Sequence, residues 1–378
     1  MTHTNTHRHT TAALSILAWT GSVLAGTIHV PGDYATIQDA VNAAAAGDEV
    51  VLAAGIYTDS FTFKEEHVIV RSAEGPGETI IDGLGATAYA LVHFPPFSSG
   101  ELRGVTIRNH DHPYTGAVTI RRCVATVADC VFEDNRNYFT GAALRIDAVS
   151  LGDVFEVEVR GCTFRRNVSS DWGGAMSAGM WGAENLTIAD CLFEDNTSGD
   201  GGHLLLAPNG PDGHISVEQC AFRRGSGDQV GGLYIVNQGI GTEGFADVAL
   251  LDCLFEDHEQ DGVSVNGEVS LTIDGGSFRN SGMPTVNLIT PAAAEVSNTQ
   301  FCGSAVHIAG TWTDLGGNSF TFICPCPGDG IPDGTVDVHD LLGMIAAFGS
   351  DDETWDFDGD GLVGVNDMLV LIASWGPC

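Results

Sequence analysis

The sequence predicts an all-β protein built as a parallel β-helix, followed by a small α-helical module at the C-terminal end. The main observation is a Cys-x-Phe segment that recurs along the chain, at Cys130, Cys162, Cys191, Cys220 and Cys253. The steps between copies are 32, 29, 29 and 33 residues, and a period in this range is typical of coiled repeat proteins. The second observation is a pair of Asp-rich loops after residue 324, each followed by an apolar helical segment.

Each Cys-x-Phe copy is predicted to be a strand that points both side chains into the core. Residues two apart project from the same face of a strand, so every coil contributes one small and one large inward side chain. The five cysteines would then stack at about 4.8 Å, as a ladder of buried thiols that act as small apolar groups.

The cysteines near the end of the chain are expected to behave differently. Cys324 and Cys326 precede the C-terminal module and Cys378 ends it, so we expect one disulfide bridge that clasps this module. The sequence leaves the pairing among these three and Cys302 open.

The N-terminal region has the pattern of an export signal. An apolar run from Ala12 to Leu24 is too short to span a bilayer, and Val23-Leu24-Ala25 fits the small-residue cleavage rule. We therefore expect residues 1–25 to be a signal peptide and the mature protein to be secreted or held at the cell surface.

The charge of the chain restricts its partners. The formal net charge is -35, which repels nucleic acid phosphates and anionic membranes. We therefore expect no nucleic acid partner and no membrane insertion, and we expect a monomer. Cations such as calcium, or neutral polymers, suit such a chain better.

A short helix is predicted near the start of the coil. Ile37, Ala40, Val41 and Ala44 follow helical spacing, and a helix here would cover the open end of the stack, which is otherwise an exposed sheet edge. This opening resembles the N-terminal cap of pectin-lyase-like right-handed β-helix proteins. The resemblance implies a right-handed parallel β-helix over residues 26–323 with an N-terminal capping helix. That superfamily includes lyases, hydrolases, esterases, epimerases and non-enzymes.

The repeat also carries an Asn and a glycine pattern. Phe-x-x-Asn recurs at Phe132, Phe164 and Phe193, and Gly173-Gly-Ala-Met and Gly231-Gly-Leu-Tyr follow later in their coils. These segments resemble the FxxN and GGA motifs of polymorphic outer-membrane adhesins. Repeated Asn at one turn position predicts a hydrogen-bonded ladder.

The two residues after each inward Phe or Ile alternate in charge from coil to coil. Opposite charges on neighbouring coils attract, whereas like charges would repel. We therefore predict ion pairs along the outside of the stack. The alternating pairs are Arg108-Asn109, Glu133-Asp134, Arg165-Arg166, Glu194-Asp195, Arg223-Arg224, Glu256-Asp257 and Arg279-Asn280.

Four aspartates are the catalytic candidates. Each lies six or seven residues after the Phe of its copy, and neighbouring coils would place them in a column about 5 Å apart. That spacing would suit the acid–base pair of a retaining glycosidase or a calcium site, with Trp172, Tyr138 and Tyr234 stacking on sugar rings. The alternative is a structural role in Asx-turns before glycine bends. The four residues are Asp171, Asp200, Asp228 and Asp261.

The most specific chemical pattern is a twelve-residue calcium loop near the C-terminus. Asp356, Asp358, Asp360 and Asp367 occupy positions 1, 3, 5 and 12 of this loop, and Leu362 would offer its carbonyl at position 7. Calcium prefers such clustered oxygen ligands.

A second copy of this loop lies earlier in the chain. Its candidate ligands are Asp329, Asp333, Thr335, Asp337 and Asp340. Position 3 is an isoleucine, which cannot ligate a metal, so this loop is expected to bind calcium more weakly.

Together the two loops, which begin 27 residues apart, resemble a type I dockerin module over residues 324–378. The resemblance implies calcium-dependent folding and docking onto a cohesin-like protein through Val338-His339 and Val365-Asn366. The alternative is a calcium-stapled cap or anchoring tag.

Two functions remain open from the sequence. The first is an exported protein that binds polysaccharide and, if it is an enzyme, degrades it as a polysaccharide lyase or glycoside hydrolase. The second is a non-enzymatic surface or adhesion protein that uses the β-helix as a display rod. The expected partner is a polysaccharide or a cell-surface glycan.

Overall fold

The structure is a computed structural model. It describes residues 25–84, 88–147, 156–180, 185–199, 201–209, 213–237, 245–324, 328–332 and 335–377. The predicted signal peptide, apart from Ala25, lies outside these residues.

The described residues form three long parallel sheets, and each turn of the chain adds one strand to each sheet in the order sheet 1, sheet 2, sheet 3. This arrangement is the predicted parallel β-helix. Sheet 1 has these strands: Thr27–Val30, Glu49–Leu52, Val68–Ser72, Ser99–Arg103, Val124–Ala128, Glu156–Arg160, Asn185–Ala189, His214–Glu218, Ala246–Leu251, Val269–Asp274, Ala293–Ser297 and Thr311–Gly316.

Sheet 2 contains the Cys-x-Phe copies, and sheet 3 follows it in every coil. The strands of sheet 2 are Gly55–Tyr57, Thr79–Asp82, Thr106–Arg108, Val131–Glu133, Thr163–Arg165, Leu192–Glu194, Ala221–Arg223, Leu254–Glu256, Ser277–Arg279, Gln300–Cys302 and Ser319–Thr321. The strands of sheet 3 are Phe61–Thr62, Val92–Phe94, Val118–Arg121, Leu144–Asp147, Met176–Met180, Leu204–Pro208, Val230–Val236, Asp261–Asn266, Val286–Ile289 and Ile308–Ala309. A short extra ladder pairs Arg136–Asn137 with Val168–Ser169.

The phenylalanines of the repeat form one stacked column, as predicted. Each Phe pairs in register with the Phe of the next coil, and from Phe132 to Phe301 successive ring centroids are 4.6–4.9 Å apart. All of these rings are buried. The core of the rod is therefore a continuous aromatic stack.

The repeat cysteines form the predicted ladder of buried free thiols. Each thiol donates to the carbonyl two residues earlier, at 3.2–3.5 Å. Burial raises the pKa of Cys253 to about 11, which keeps this thiol protonated and unreactive at neutral pH.

One of the pairings that the sequence left open is now assigned. Cys324 is bonded to Cys302, with their Cα atoms 4.7 Å apart, so a bridge that clasps the C-terminal module would not include Cys324 and stays a prediction. Cys302 ends a strand of sheet 2 on the coil next to the one from which Cys324 emerges. Cys326 and Cys378 lie outside the described residues.

The capping helix, α1, spans Ile37–Ala43 and buries Ile37, Ala40 and Val41 against the first coil. Gln38 fixes it to the free edge of sheet 3: its Oε1 accepts the N–H of Thr62 at 2.8 Å, and its Nε2 donates to the carbonyl of Thr62 at 3.2 Å. The prediction of a cap over the open end is confirmed.

The predicted Asn ladder is present inside the turn between sheets 2 and 3. Asn135 Nδ2 donates to Asn167 Oδ1 at 3.0 Å, and Asn167 Nδ2 donates to Asn196 Oδ1 at 2.9 Å. The ladder continues to His203, whose Nδ1 lies 3.0 Å from Asn196 Nδ2. These buried amides satisfy one another along the rod axis.

The alternating charges pair between coils as predicted. Arg166 contacts Glu133 at 3.1 Å and Asp134 at 2.9 Å, and Glu256 lies between Arg223 and Arg279 on the coils either side of it. Because these side chains are partly exposed, each pair contributes only ~0.2–1 kcal/mol, and the stripe mainly fixes the register of the coils.

The C-terminal region has its own small core. Helix α2 spans Val338–Ala347 and helix α3 spans Val365–Ala373, and a two-stranded antiparallel ladder pairs Thr335–Val336 with Gly376–Pro377. The buried residues of this core are Val336, Met344, Trp355, Val363 and Leu371. Of the helices described, none combines the length and the apolar character that crossing a bilayer requires.

Candidate functional site

A groove of about 560 Å³ lies on the outer face of sheet 1. Side chains alternate between the two faces of a strand, and in each groove strand the inward residue is a buried apolar side chain, such as Leu186, Ile215 or Val248. The neighbouring positions therefore point outward, and they supply the polar side chains that line the groove.

One outward row crosses four coils in register. Glu156 pairs with Asn185, Asn185 with His214, and His214 with Asp247. Adjacent strands are ~4.8 Å apart, so a carboxylate, an amide, an imidazole and a second carboxylate follow one another along the rod axis. All four are exposed.

A second outward row runs beside the first and adds hydroxyl groups. Thr187 pairs with Ser216, and Thr272 lies two coils further on. Ser216 Oγ donates to Glu218 Oε1 at 2.6 Å. The groove thus offers many hydrogen-bond donors and acceptors on a floor held rigidly by the sheet.

The two carboxylates of the first row are too far apart for paired acid–base chemistry. Glu156 and Asp247 are separated by three strand steps, or about 14 Å. The carboxylate pairs of glycosidases are roughly 5–9.5 Å apart. The groove is therefore better suited to binding than to hydrolysis by this pair.

The four predicted catalytic aspartates do not form one column. Asp261 pairs with Val230 on the preceding coil, and not with Asp228, because Val230 lies eight residues after Phe222 whereas Asp261 lies six residues after Phe255. Asp171 lies in the turn beside Phe139, whose carbonyl accepts its N–H at 3.1 Å. Asp200 lies outside the described residues. The catalytic role of these residues remains a prediction.

Asp261 has an unusual environment for a surface strand. Burial raises the pKa of its carboxyl to about 6, although Asn287 Nδ2 donates to it at 3.0 Å and acts in the opposite direction. Of the predicted stacking residues, Tyr138 is exposed, whereas Trp172 and Tyr234 are half-buried.

Three predicted calcium ligands converge in the second loop. Carboxylate oxygens of Asp356, Asp358 and Asp367 lie within 4.8 Å of one another. Asp356 accepts the N–H groups of Asp360 and Gly361, so the loop backbone turns around this carboxylate.

Asp367 is fully buried at the start of α3. Burial acts to raise its pKa, but N–H donors from Gly364, Asp358 and Phe357 outweigh burial and lower the pKa. Asp360 instead accepts the N–H of Leu362 at 2.9 Å. A hard cation would find a ready group of oxygens here, with Asp360 and the Leu362 carbonyl close by in sequence.

The first loop has the same frame with fewer converging carboxylates. Asp340 is 1% exposed, accepts the N–H groups of Ile331 and Asp337 at 2.9 Å, and occupies the same helix position as Asp367. Asp337 caps α2. Asp333 lies outside the described residues. Within them, only the second loop brings three metal-binding side chains together.

Helices α2 and α3 expose matching apolar faces. Val338, Leu342 and Ile345 on α2 are at least half exposed, and the residues 27 positions later on α3 are equally exposed. The α3 residues are Val365, Leu369 and Ile372.

Comparison with known families identifies the rod. The family model described as a right handed beta helix region matches residues 97–301, which is more than half of the chain. The chain belongs to this family. The β-helix is therefore right-handed, as the resemblance of the N-terminal cap predicted.

Solved structures similar to this right-handed β-helix are distant in sequence. The catalytic unit of a thermostable GH87 α-1,3-glucanase from Streptomyces thermodiastaticus is 16% identical, with a TM-score of 0.38, over 78% of this chain and 69% of that one. The A-module of a mannuronan C-5 epimerase from Azotobacter vinelandii is 12% identical, with a TM-score of 0.33, over 75% and 88%. A search of curated proteins finds no match.

The groove residues were missed by the sequence analysis, although a signal for them exists. Glu156, Asn185, His214 and Asp247 each lie six positions before the Cys of their repeat copy. The preceding coil has Val124 at this position, so the run of polar residues at it begins with Glu156. Aligning the repeats on Cys would have revealed the row.

Proposed function

We propose that this β-helix binds a neutral polysaccharide in the groove of sheet 1. The observation that carries the proposal is the row of Glu156, Asn185, His214 and Asp247, which extends for about 14 Å along the rod. An open groove with regularly spaced polar groups suits an extended ligand that carries a hydroxyl-bearing unit at each step.

The charge of the groove favours a neutral glycan over an acidic one. Two carboxylates line it, and the described lining residues include no Arg or Lys. A uronate polymer would meet like charges here and across a chain whose net charge is -35. The proposal is therefore one of binding, and it does not depend on turnover.

We also propose that calcium folds the C-terminal loops and that the helices then dock onto a protein partner. The convergence of Asp356, Asp358 and Asp367 supports calcium binding, and when bound the ion would neutralise these carboxylates and hold the loop against α3. The duplicated apolar faces of α2 and α3 support docking onto a cohesin-like protein.

An extracellular setting for this binding is part of the same proposal. The disulfide between Cys302 and Cys324 is typical of proteins in oxidising compartments. The apolar N-terminal segment predicted as an export signal agrees with this setting.

The groove is tested by affinity electrophoresis in gels that contain soluble neutral polysaccharides such as xylan, mixed-linkage glucan or mannan. Glu156→Gln combined with His214→Ala should strongly reduce retardation by the glycan that retards the wild type. The control is Glu295→Gln, an exposed outward residue of sheet 1 outside the groove, which should bind normally. Retardation that is unchanged in the groove variant would contradict the proposal, and so would a wild type that no neutral glycan retards.

A further inference from the structure

Four aromatic rings form a continuous row on three successive loops between sheets 2 and 3. The ring centroids are 5.4 Å apart for Tyr89 and His112, 6.1 Å for His112 and Tyr114, and 5.8 Å for Tyr114 and Phe139. Tyr89, Tyr114 and Phe139 are 53%, 59% and 47% exposed. We call these four residues the aromatic row.

We propose that the aromatic row is a second sugar-binding surface, separate from the groove. This inference rests on the proposed function, since it assigns the same class of ligand. The loops between sheets 2 and 3 form the corner of the coil that does not border sheet 1. A glycan segment on this corner therefore cannot be the segment that occupies the groove.

The backbone that carries the row is held in place by hydrogen bonds. Arg145 Nη1 donates to the carbonyl of Tyr114 at 3.0 Å, and the N–H of Tyr114 donates to His112 Nδ1 at 3.3 Å. The buried ring of His110 lies beneath His112, with centroids 6.0 Å apart. Rings fixed in this way lose little conformational freedom when a ligand binds.

The far end of the row is fixed as well. The carbonyl of Phe139 accepts the N–H groups of Asp171 and Trp172 from the next coil, and its N–H donates to Asn137 Oδ1 at 3.3 Å. Asn137 is buried and its Nδ2 donates to the carbonyl of Thr140 at 2.8 Å. Neighbouring rings of the row are inclined to one another by 46–72°, so the row is a rigid set of angled rings with the predicted carboxylate Asp171 at its end.

The size of the row argues for a sugar and against a protein partner. An aromatic side chain buries ~150–250 Å² when fully covered, so four half-exposed rings offer on the order of 400 Å². A stable protein interface buries ~800 Å² on each partner. The net charge of -35 also opposes association of two copies.

The chemistry of the row fits the apolar faces of sugar rings. All four members are planar rings, and Tyr89 and Tyr114 carry hydroxyls that can bond to sugar hydroxyls at the edge of the contact. Asp111, exposed between the two histidines in sequence, adds an acceptor beside them. With two separate surfaces, one rod could bind two polysaccharide chains, or two sites on one insoluble particle. Bivalent binding of this kind raises the overall affinity.

The test is depletion of the protein from solution by insoluble neutral polysaccharides, namely amorphous cellulose, insoluble xylan and α-1,3-glucan. Tyr114→Ala with Phe139→Ala should weaken binding about tenfold, and Tyr114→Phe should bind like the wild type because the ring remains. Tyr34→Ala, which removes an exposed tyrosine at the N-terminal end of the rod, is the matched control. Thermal melts and circular dichroism establish that each variant is folded. If the Tyr114→Ala, Phe139→Ala variant does not fold, Tyr89→Ala is tested in its place.

The outcomes separate this inference from the proposed function. If the groove variant loses all binding and the row variants bind like the wild type, the aromatic row is not a sugar site while the groove proposal stands. If the wild type binds no neutral polysaccharide, both fail. If sedimentation shows a wild-type dimer that the row variants convert to a monomer, the row is a protein interface and the inference is overturned.

Discussion

The imidazole of His203 occupies the space that a side chain at Gly225 would need. A Cβ atom on Gly225 would collide with His203 Nε2 and with the carbonyl of Gly231. Gly225 stands where Asn196 stands on the preceding coil, and His203 takes the place of the missing amide next to Asn196. His258 resumes the pattern one coil later, since its Nδ1 accepts the N–H of Gly225 at 3.2 Å.

Gly225→Ala should therefore destabilise the rod by roughly 1–3 kcal/mol, the usual cost of overpacking. Gly77→Ala is the control, because a Cβ there meets nothing within 4 Å. The measurement is the free energy of unfolding in urea. Adding His203→Ala to Gly225→Ala should make the total loss less than the sum of the two single losses. Equal stability of the Gly225 and Gly77 variants would show that the contact is not restrictive.

The buried histidines predict a loss of stability in acid. Burial lowers the pKa of His258 from 6.5 to about 4. Burial, with His258 nearby, also lowers the pKa of His203 well below its ordinary value. The unfolded chain then binds more protons than the folded one, so the stability present above pH 6.5 is lost as the pH falls toward 4. For His258 alone the loss is at most about 3 kcal/mol.

His258→Asn tests this origin of the acid sensitivity. An asparagine would restore the amide ladder and remove one titrating group, so the unfolding free energy should fall less between pH 6.5 and pH 4 than in the wild type. His29→Asn, at an exposed position, should leave the pH profile as it is. A profile that is the same in both variants would assign the acid sensitivity to other groups.

The ladder thiols should be inert in the folded protein. Burial raises the pKa of Cys253 in the ladder to about 11, and it does the same for Cys123, a buried free cysteine outside the ladder. The thiolate is the reactive form. Titration with an aromatic disulfide reagent at pH 8 should detect no reaction of these thiols until denaturant is added, after which all should react. Rapid labelling of any repeat cysteine in the native protein would contradict the buried ladder.

Calcium binding should be stronger in the second loop than in the first. Asp356→Asn removes one of three converging carboxylates and should weaken calcium affinity by an order of magnitude or more, measured by isothermal titration calorimetry. Asp329→Asn, the same change at the same position of the first loop, should have a smaller effect because that loop has an isoleucine at position 3. Equal losses would remove the distinction between the loops.

Chelation gives a separate check on the C-terminal module. Removing calcium should reduce the helical circular dichroism signal that arises from α2 and α3, while the β-sheet signal of the rod remains. Loss of the sheet signal on adding chelator would mean that the rod also depends on the metal.

The periodic features of the rod could be predicted from the sequence because each is repeated. Phe132 and its equivalents recur at a nearly constant step, and the alternating Arg and Glu pairs recur with them. The register between neighbouring strands of sheet 2 can therefore be found by aligning the repeats. The helix over Ile37–Ala43 was predictable from its apolar spacing, which is a local property.

The features that were missed depend on departures from the repeat. The segment from Phe222 to Val230 is two residues longer than the segment from Phe255 to Asp261. This difference moves Asp261 out of line with Asp228, and no local pattern marks it. His203, seven residues after Asn196, fills the site next to Gly225. This contact forms only when the coils are stacked, so the sequence does not reveal it. The bridge between Cys302 and Cys324 likewise depends on how the last coils stack.

The paired hydrogen bonds from Gln38 to Thr62 have a consequence for how these rods coexist in solution. A β-sheet can add a new strand at any edge where backbone N–H and C=O groups are unpaired, and amyloid fibrils elongate in this way. At this end of sheet 3 one side-chain amide imitates the missing strand and occupies both groups. A strand of another rod therefore cannot pair with Thr62 at this edge. Gln38 thus helps to prevent edge-to-edge aggregation of the rods.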